Sequence, residues 1–254
     1  MLRTLLAAGA LAMTLNAGPA SASDADLHQA WDQILETYVS EYDDGVNRFD
    51  YGALNANPDD LTKLDAYLAM FADLDFDTLS EPEQFAAYAN VYNALTVKHI
   101  LGRYPVKSIR SGYLVGPWKR VFTTVDGEKV SLDDIEHKIL RVEWDDPRVH
   151  YAINCAAYSC PNIQTDAWIA ETLDETLDQA ARDYVNDPRG VTLRRNGTLQ
   201  VSTIYKWFRE DFGDSNDGVV DHLLEYAEPE LAARIEETRR ITKHEYDWAL
   251  NDVE

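Results

Sequence analysis

Leu27, Trp31, Ile34, Leu35 and Tyr38 recur at the spacing of one helix face, which predicts an amphipathic helix over residues 24–40. Leu61, Leu64, Leu68 and Phe71 mark a second helix. A third opens at Ser80-Glu81-Pro82-Glu83, a capping box with proline in the first turn, and runs to Gly102 before Tyr104-Pro105. Lys119–Val125 and Glu128–Leu132 flank Asp126-Gly127, a pair that supplies the positive φ of a tight hairpin turn. A short helix after Ser131 turns Ile135, Ile139 and Leu140 inward. From Arg148 to Asn154 the pattern alternates, with Val149, Tyr151 and Ile153 opposite His150, Ala152 and Asn154, which predicts a strand.

A polar loop, Cys155–Asn162, then leads to a helix bearing Ile169, Leu173, Leu177 and Tyr184. Asn196-Gly197 marks a second hairpin, and Ser202 caps a helix with Ile204, Trp207 and Phe208 that closes at Gly213. The acidic C-terminal stretch is expected to be helical, with Tyr246 and Trp248 as packing anchors. No repeat and no Gly-, Ser- or Pro-rich linker divides the chain. The expected fold class is α+β: one helix-rich domain with a small, mostly antiparallel sheet.

Residues 1–22 depart from this pattern. Arg3, the apolar run Leu5–Leu15 and Ala20-Ser21-Ala22 form the three parts of a secretory signal, too short to span a bilayer. The expected mature domain is 23–254, periplasmic or secreted, with no membrane attachment after cleavage. The 254 residues carry 23 Lys+Arg against 45 Asp+Glu, a formal charge of −22. Such an excess of acid argues against nucleic acid and against anionic membranes as partners. With 45% hydrophobic residues the chain is nonetheless globular rather than disordered. Its partner is expected to be a small-molecule or peptide substrate; no cofactor is expected.

Candidate chemistry concentrates between His137 and Pro161, which hold both cysteines. A nucleophilic thiol must lose its proton, and an imidazole or a helix N-terminus favours the thiolate. His150 precedes Asn154-Cys155, and Cys160-Pro161 is read as lying just before the next helix. His137 shares a helical face with Asp133, Asp134 and Arg141, so a carboxylate there has the spacing to orient its ring. Three other readings compete: a Cys155–Cys160 disulfide, a zinc site of His137, His150, Cys155 and Cys160, and histidines without chemistry, His137 on a solvated polar face and His150 half-buried and hydrogen-bonded to backbone. The Cys-x4-Cys spacing is not that of a zinc knuckle, so no metal ligand is assigned. Asn90 and Asn93, one turn apart on an apolar helix, need buried partners, either in a site wall or as clamps on loop backbone.

Several of these segments together resemble domain-of-unknown-function family 547. They are Tyr88–Ile100, Tyr104-Pro105, Gly116-Pro117-Trp118, Ser131–His137, Asp146–Cys155, Ser159-Cys160-Pro161 and Trp207–Phe212, spanning about residues 80–213 and extending loosely towards Trp248. The resemblance implies a single, often secreted domain and carries over Asn90, Asn93, Glu136, His137, Arg141, Arg148, His150, Asn154, Cys155, Cys160 and Pro161 as motif residues without roles. The order of histidine before cysteine is similar to permuted papain-like enzymes, an analogy of constellation alone.

Two functions follow as expectations. The first is a thiol enzyme of acyl-transfer type, peptidase- or amidase-like. Cys160 or Cys155 attacks, His150 or His137 is the base, and Asn154 or a carboxylate orients it, with Glu136, Arg141, Arg148, Asn90 and Asn93 lining or supporting the pocket. The second is a non-enzymatic binding or scaffold domain stapled by a Cys155–Cys160 disulfide.

Overall fold

Helix α4 (Glu81–Leu101) is the spine of the domain, as its nearly all-round apolar sequence requires: from Phe85 to Leu101 only Tyr88, Lys98 and His99 escape full burial. Its start is fixed by the expected box, in which the Ser80 N–H donates to Glu83 Oε2 at 2.6 Å. The computed structural model describes residues 24–253, and the expected export signal, residues 1–22, lies outside them. Helices α1 (Asp24–Tyr38) and α3 (Pro58–Met70) pack on α4 and on each other, α1 through Trp31, Ile34, Leu35 and Tyr38. The expected extension of α1 to residue 40 fails because Val39–Ser40 (β1) pairs with Arg48–Phe49 (β2), ahead of the short α2 (Tyr51–Asn55).

The hairpin of β3 (Phe122–Val125) and β4 (Glu128–Ser131) forms where Asp126-Gly127 places it, with φ of 49° and 73°. Its turn docks on the end of α3 through the Asp126 and Gly127 N–H groups, which donate to Phe71 and Ala72 carbonyls at 2.8 Å. Ser131 and Asp134 cap each other at the start of α5 (Leu132–Asp134). The helix then widens into a π-helical turn, Ile135–Leu140, and ends in α6 (Arg141–Glu143). Such turns interrupt the regular ladder and recur at functional sites. Here the turn faces Ile135, Glu136 and Leu140 inward.

Two expectations are corrected. Residues 148–154 are not a strand: Val149–Ala152 is one helical turn, α7. All four side chains are buried, so alternation carried no information about a solvent face. The better signal was Asp146-Pro147, a helix-start pair in which Asp146 Oδ1 accepts the Arg148 N–H at 2.8 Å. Beyond α8 (Leu173–Asn186), a sheet is built from β5 (Val191–Leu193), β6 (Leu199–Ser202) and β7 (Ile241–Glu245), β5 antiparallel and β7 parallel to β6. The C-terminal stretch is therefore helical only through α10 (Asn216–Tyr226) and α11 (Pro229–Thr238). Helix α9 (Ile204–Trp207) follows β6, and the crossover from β6 to β7 returns the chain to the edge of β6 opposite β5.

The architecture is α+β, with three small, mostly antiparallel sheets of two, two and three strands among the described residues. No helix among the described residues is long and apolar enough to cross a membrane.

Candidate active site

The loop after α7 is shaped by amide clamps. Asn93 on α4 donates to the Ala152 carbonyl at 2.9 Å and accepts the Asn154 N–H at 2.7 Å. Asn154 in turn accepts the Ala156 N–H and donates to the Pro161 carbonyl, both at 2.7 Å. Asn90 holds the Trp168 backbone in the same two-point manner, at 2.8 and 3.0 Å. Replacing Asn93 by alanine leaves the buried Asn154 N–H unpaired and is expected to lower the unfolding free energy by about 1–3 kcal/mol. Chemical denaturation reads this out, and a change below about 0.5 kcal/mol would mean the clamp carries no weight.

Within this loop Ala156 is fully buried at φ 60°, a left-handed conformation that costs a non-glycine residue about 1–3 kcal/mol. The backbone so bent directs N–H groups of Cys155 and Ala157 at the Cys160 sulfur, the former at 3.0 Å. The chain that follows β7 seals the loop: Tyr158 and Ser159 N–H groups donate to Ala249 and Asp247 carbonyls. This brings the Tyr246 hydroxyl to 3.0 Å from Cys160 Sγ and 3.2 Å from Cys155 Sγ. Both cysteines are free thiols.

Their environments separate them. Burial acts to raise the Cys160 pKa, but the Cys155 thiol, the Tyr246 hydroxyl and the two backbone N–H groups outweigh it and hold it below the ordinary value. Contact with the Cys160 sulfur, then burial, pushes Cys155 well up. The negative charge of the pair belongs on Cys160. Its donors are those of a loop rather than a helix terminus: the next helical turn begins only at Ala170, because Pro161–Ile169 runs as irregular chain.

Both sulfurs open onto a cavity of about 460 Å³ that is also lined by His137, His150, Glu136 and Tyr92. Neither sulfur hydrogen-bonds an imidazole among the described residues. His150 is buried on α7, stacked on Phe208 at 4.2 Å between ring centres. Its Nε2 is 2.6 Å from Asp211 Oδ2, and Arg141 grips the same carboxylate through Nε at 2.6 Å and a second nitrogen at 2.8 Å. Burial lowers the His150 pKa despite Asp211, so the ring is neutral, while Asp211 stays ionised because hydrogen bonds from His150 and Arg141 outweigh its own burial. His137 is half-exposed: Arg141 lies 3.2 Å from its Nδ1, and Asp133 is 3.8 Å from its Nε2, beyond hydrogen-bond reach.

Glu136 is turned inward by the π-helical turn and accepts from Tyr92 Oη at 3.1 Å. Burial raises its pKa, His137 and Arg141 pulling the other way, which favours the neutral acid. Arg148 lies outside the cavity wall, paired with Asp146, Asp174 and Asp178. Among the described residues no group of three or more His, Cys, Asp or Glu converges as metal ligands.

Sequence reasoning missed Asp211 and read Tyr246 as packing only. The first lies within the Trp207–Phe212 stretch that carried the resemblance, and nothing in its spacing reveals a partner 61 residues earlier. Tyr246 reaches the thiols only because β7 adds in parallel to β6.

Fold and site together define an α+β domain with a two-thiol cavity. Residues 76–185 match the model of the family described as "Protein of unknown function, DUF547". The matched segment holds both cysteines, both cavity histidines and Glu136; Asp211 and Tyr246 come from beyond it. No curated protein and no solved structure matches the chain.

Proposed function

We propose that this protein is a thiol-dependent acyl-transfer enzyme of peptidase or amidase type. The observation that carries the reading is a buried Cys160 sulfur, supplied with hydroxyl and backbone donors, that opens on the same cavity as a neutral His150 held by Asp211. Cys160 thiolate attacks the acyl carbon, a C–S bond forms and the C–N or C–O bond breaks. The leaving nitrogen or oxygen takes a proton from the Glu136 carboxyl. Water then attacks the thioester and gives a proton to neutral His150, the acid product departs and Cys160 is again a thiolate. The imidazolium returns its proton to Glu136 through solvent, so the cycle is proton-balanced. Because the thiolate forms without an imidazole contact, His150 serves the water rather than the sulfur.

Incubation with p-nitrophenyl acetate tests this. Acid-quenched within the first turnover, before water releases the acyl group, the protein is expected by intact-mass analysis to carry one acetyl group, located on the Cys160 peptide and absent from Cys160→Ser. Acetylation confined to lysines, or none, removes the proposal. The rival, a scaffold stapled by a Cys155–Cys160 disulfide, predicts no titratable thiol in oxidised protein before reduction. Export to the periplasm is proposed from the sequence of residues 1–22 alone.

A further inference from the structure

The cavity that holds the thiols has an unusual wall and an unusual mouth. Trp118, Trp207, Tyr246 and Trp248 form one continuous aromatic surface: ring centres are 4.6 Å apart for Tyr246–Trp248, 4.9 Å for Trp207–Tyr246, 5.5 Å for Trp207–Trp248 and 5.7 Å for Trp118–Trp248. Phe208 and Ile153 extend it inward. The chain accepts backbone cost to keep this surface. Gly116 sits at φ 90°, and a Cβ there would lie 1.7 Å from the Trp118 ring, so only glycine lets the loop pass over that indole. At the mouth, Val115 and Trp207 are 83% and 46% exposed, an apolar rim that a folded chain ordinarily hides.

Aromatic surface alone attracts cations as well as hydrocarbon. The charges around it decide between them. Two faces are already taken by the protein's own guanidinium groups, Arg110 over Trp248 at 4.9 Å and Arg141 over Phe208 at 5.0 Å. Asp133 in the wall already has Lys119 at 3.7 Å and His137 at 3.8 Å, and burial of Glu136 pushes its carboxyl towards the uncharged form. That leaves Arg120, exposed at the mouth, which makes no ion pair or side-chain hydrogen bond among the described residues. In a chain of formal charge −22, Lys119 and Arg120 place two cations at the mouth.

We infer that the site takes an acyl compound with an aromatic or branched-hydrocarbon body and a single anionic group, the body against the Trp118–Trp207–Trp248 wall and the anion at Arg120. The inference rests on the acyl-transfer reading for the word acyl, and on the wall and the mouth for the rest. A volume of about 460 Å³ suits a ligand of that size, within the range of ordinary small-molecule pockets.

The experiment separates ligand class from chemistry by using the full-length protein with Cys155→Ser and Cys160→Ser together, which binds without reacting. Three unreactive probes of one shape, 4-phenylbutyrate, 4-phenylbutyramide and 4-phenylbutylamine, are titrated against tryptophan fluorescence. The acid is expected to bind about tenfold tighter than the amine, a difference of one modest charge interaction. Arg120→Gln is expected to erase that preference while leaving amide binding unchanged. Trp207→Ala, at a half-exposed position of the wall, is expected to weaken all three probes about tenfold. Equal or tighter binding of the amine overturns the anionic end, and no saturable signal from any probe at millimolar concentration overturns the ligand class. Should the acid bind while wild-type protein forms no thioester, the ligand assignment stands and the acyl-transfer reading falls.

Discussion

Asp211→Asn is expected to slow breakdown of the thioester by roughly 10²–10⁴-fold while leaving its formation nearly intact, so that acyl-protein accumulates. Asp211 accepts from His150 Nε2 at 2.6 Å and so fixes both the ring and the nitrogen left over to take a proton. An asparagine keeps the size of the side chain but not its charge, which stabilises the imidazolium formed when water is activated. Formation is spared because Cys160 draws its donors from Tyr246 and from backbone N–H groups, none of which touches Asp211. Single-turnover mass spectrometry follows both phases. Parallel loss of the two would place His150 on the sulfur instead; no loss in either would strip His150 of a role.

The sign of the pH dependence follows from the same groups. His150 must be neutral to act, and burial depresses its pKa despite Asp211 and with Arg141. Thioester breakdown should therefore fall only as pH drops below about 6.5, the ordinary imidazole value, and stay flat above it. Asp211 pulls the His150 pKa upward, so the variant's acid limb should lie lower still. An acid limb above the ordinary imidazole value would contradict the buried, neutral ring.

How much of this was legible in the sequence depends on where each signal is written. The helices α1, α3 and α4 and the Asp126-Gly127 hairpin were, because caps, turn residues and apolar spacing are local properties. So was the need of Asn90 and Asn93 for partners, although their carbonyls and N–H groups lie 59–78 residues away. The α7 turn was not, since four consecutive buried side chains mimic either face of a strand. The cavity is the least legible part. Its thiol loop is local, but the hydroxyl that serves it arrives just past β7, and the carboxylate behind His150 from the turn after α9. Parallel pairing across a long crossover leaves no short-range mark in the chain.

Cys160→Ser is expected to remove most of the labelling by iodoacetamide at pH 6, and Cys155→Ser far less of it. An ordinary thiol at that pH is a thiolate only at the level of a few parts per thousand, and Cys155 lies higher still. Cys160 lies below the ordinary value because donors converge on it, so it supplies the reactive fraction. Tyr246→Phe, which deletes one donor to a charged acceptor, should move the midpoint of the labelling curve up by about one to two pH units. Its rate at pH 6 falls by less than that shift implies. The more basic thiolate is the better nucleophile, with a Brønsted slope of about 0.4–0.5, so a tenfold loss of thiolate leaves a net fall of about threefold. The midpoint is therefore the decisive readout. An unmoved midpoint would mean that Tyr246 donates to neither sulfur in solution. Equal labelling of the two single-serine variants would mean that the charge is shared rather than lodged on Cys160, and the nucleophile would then have to be assigned by exposure, in favour of Cys155.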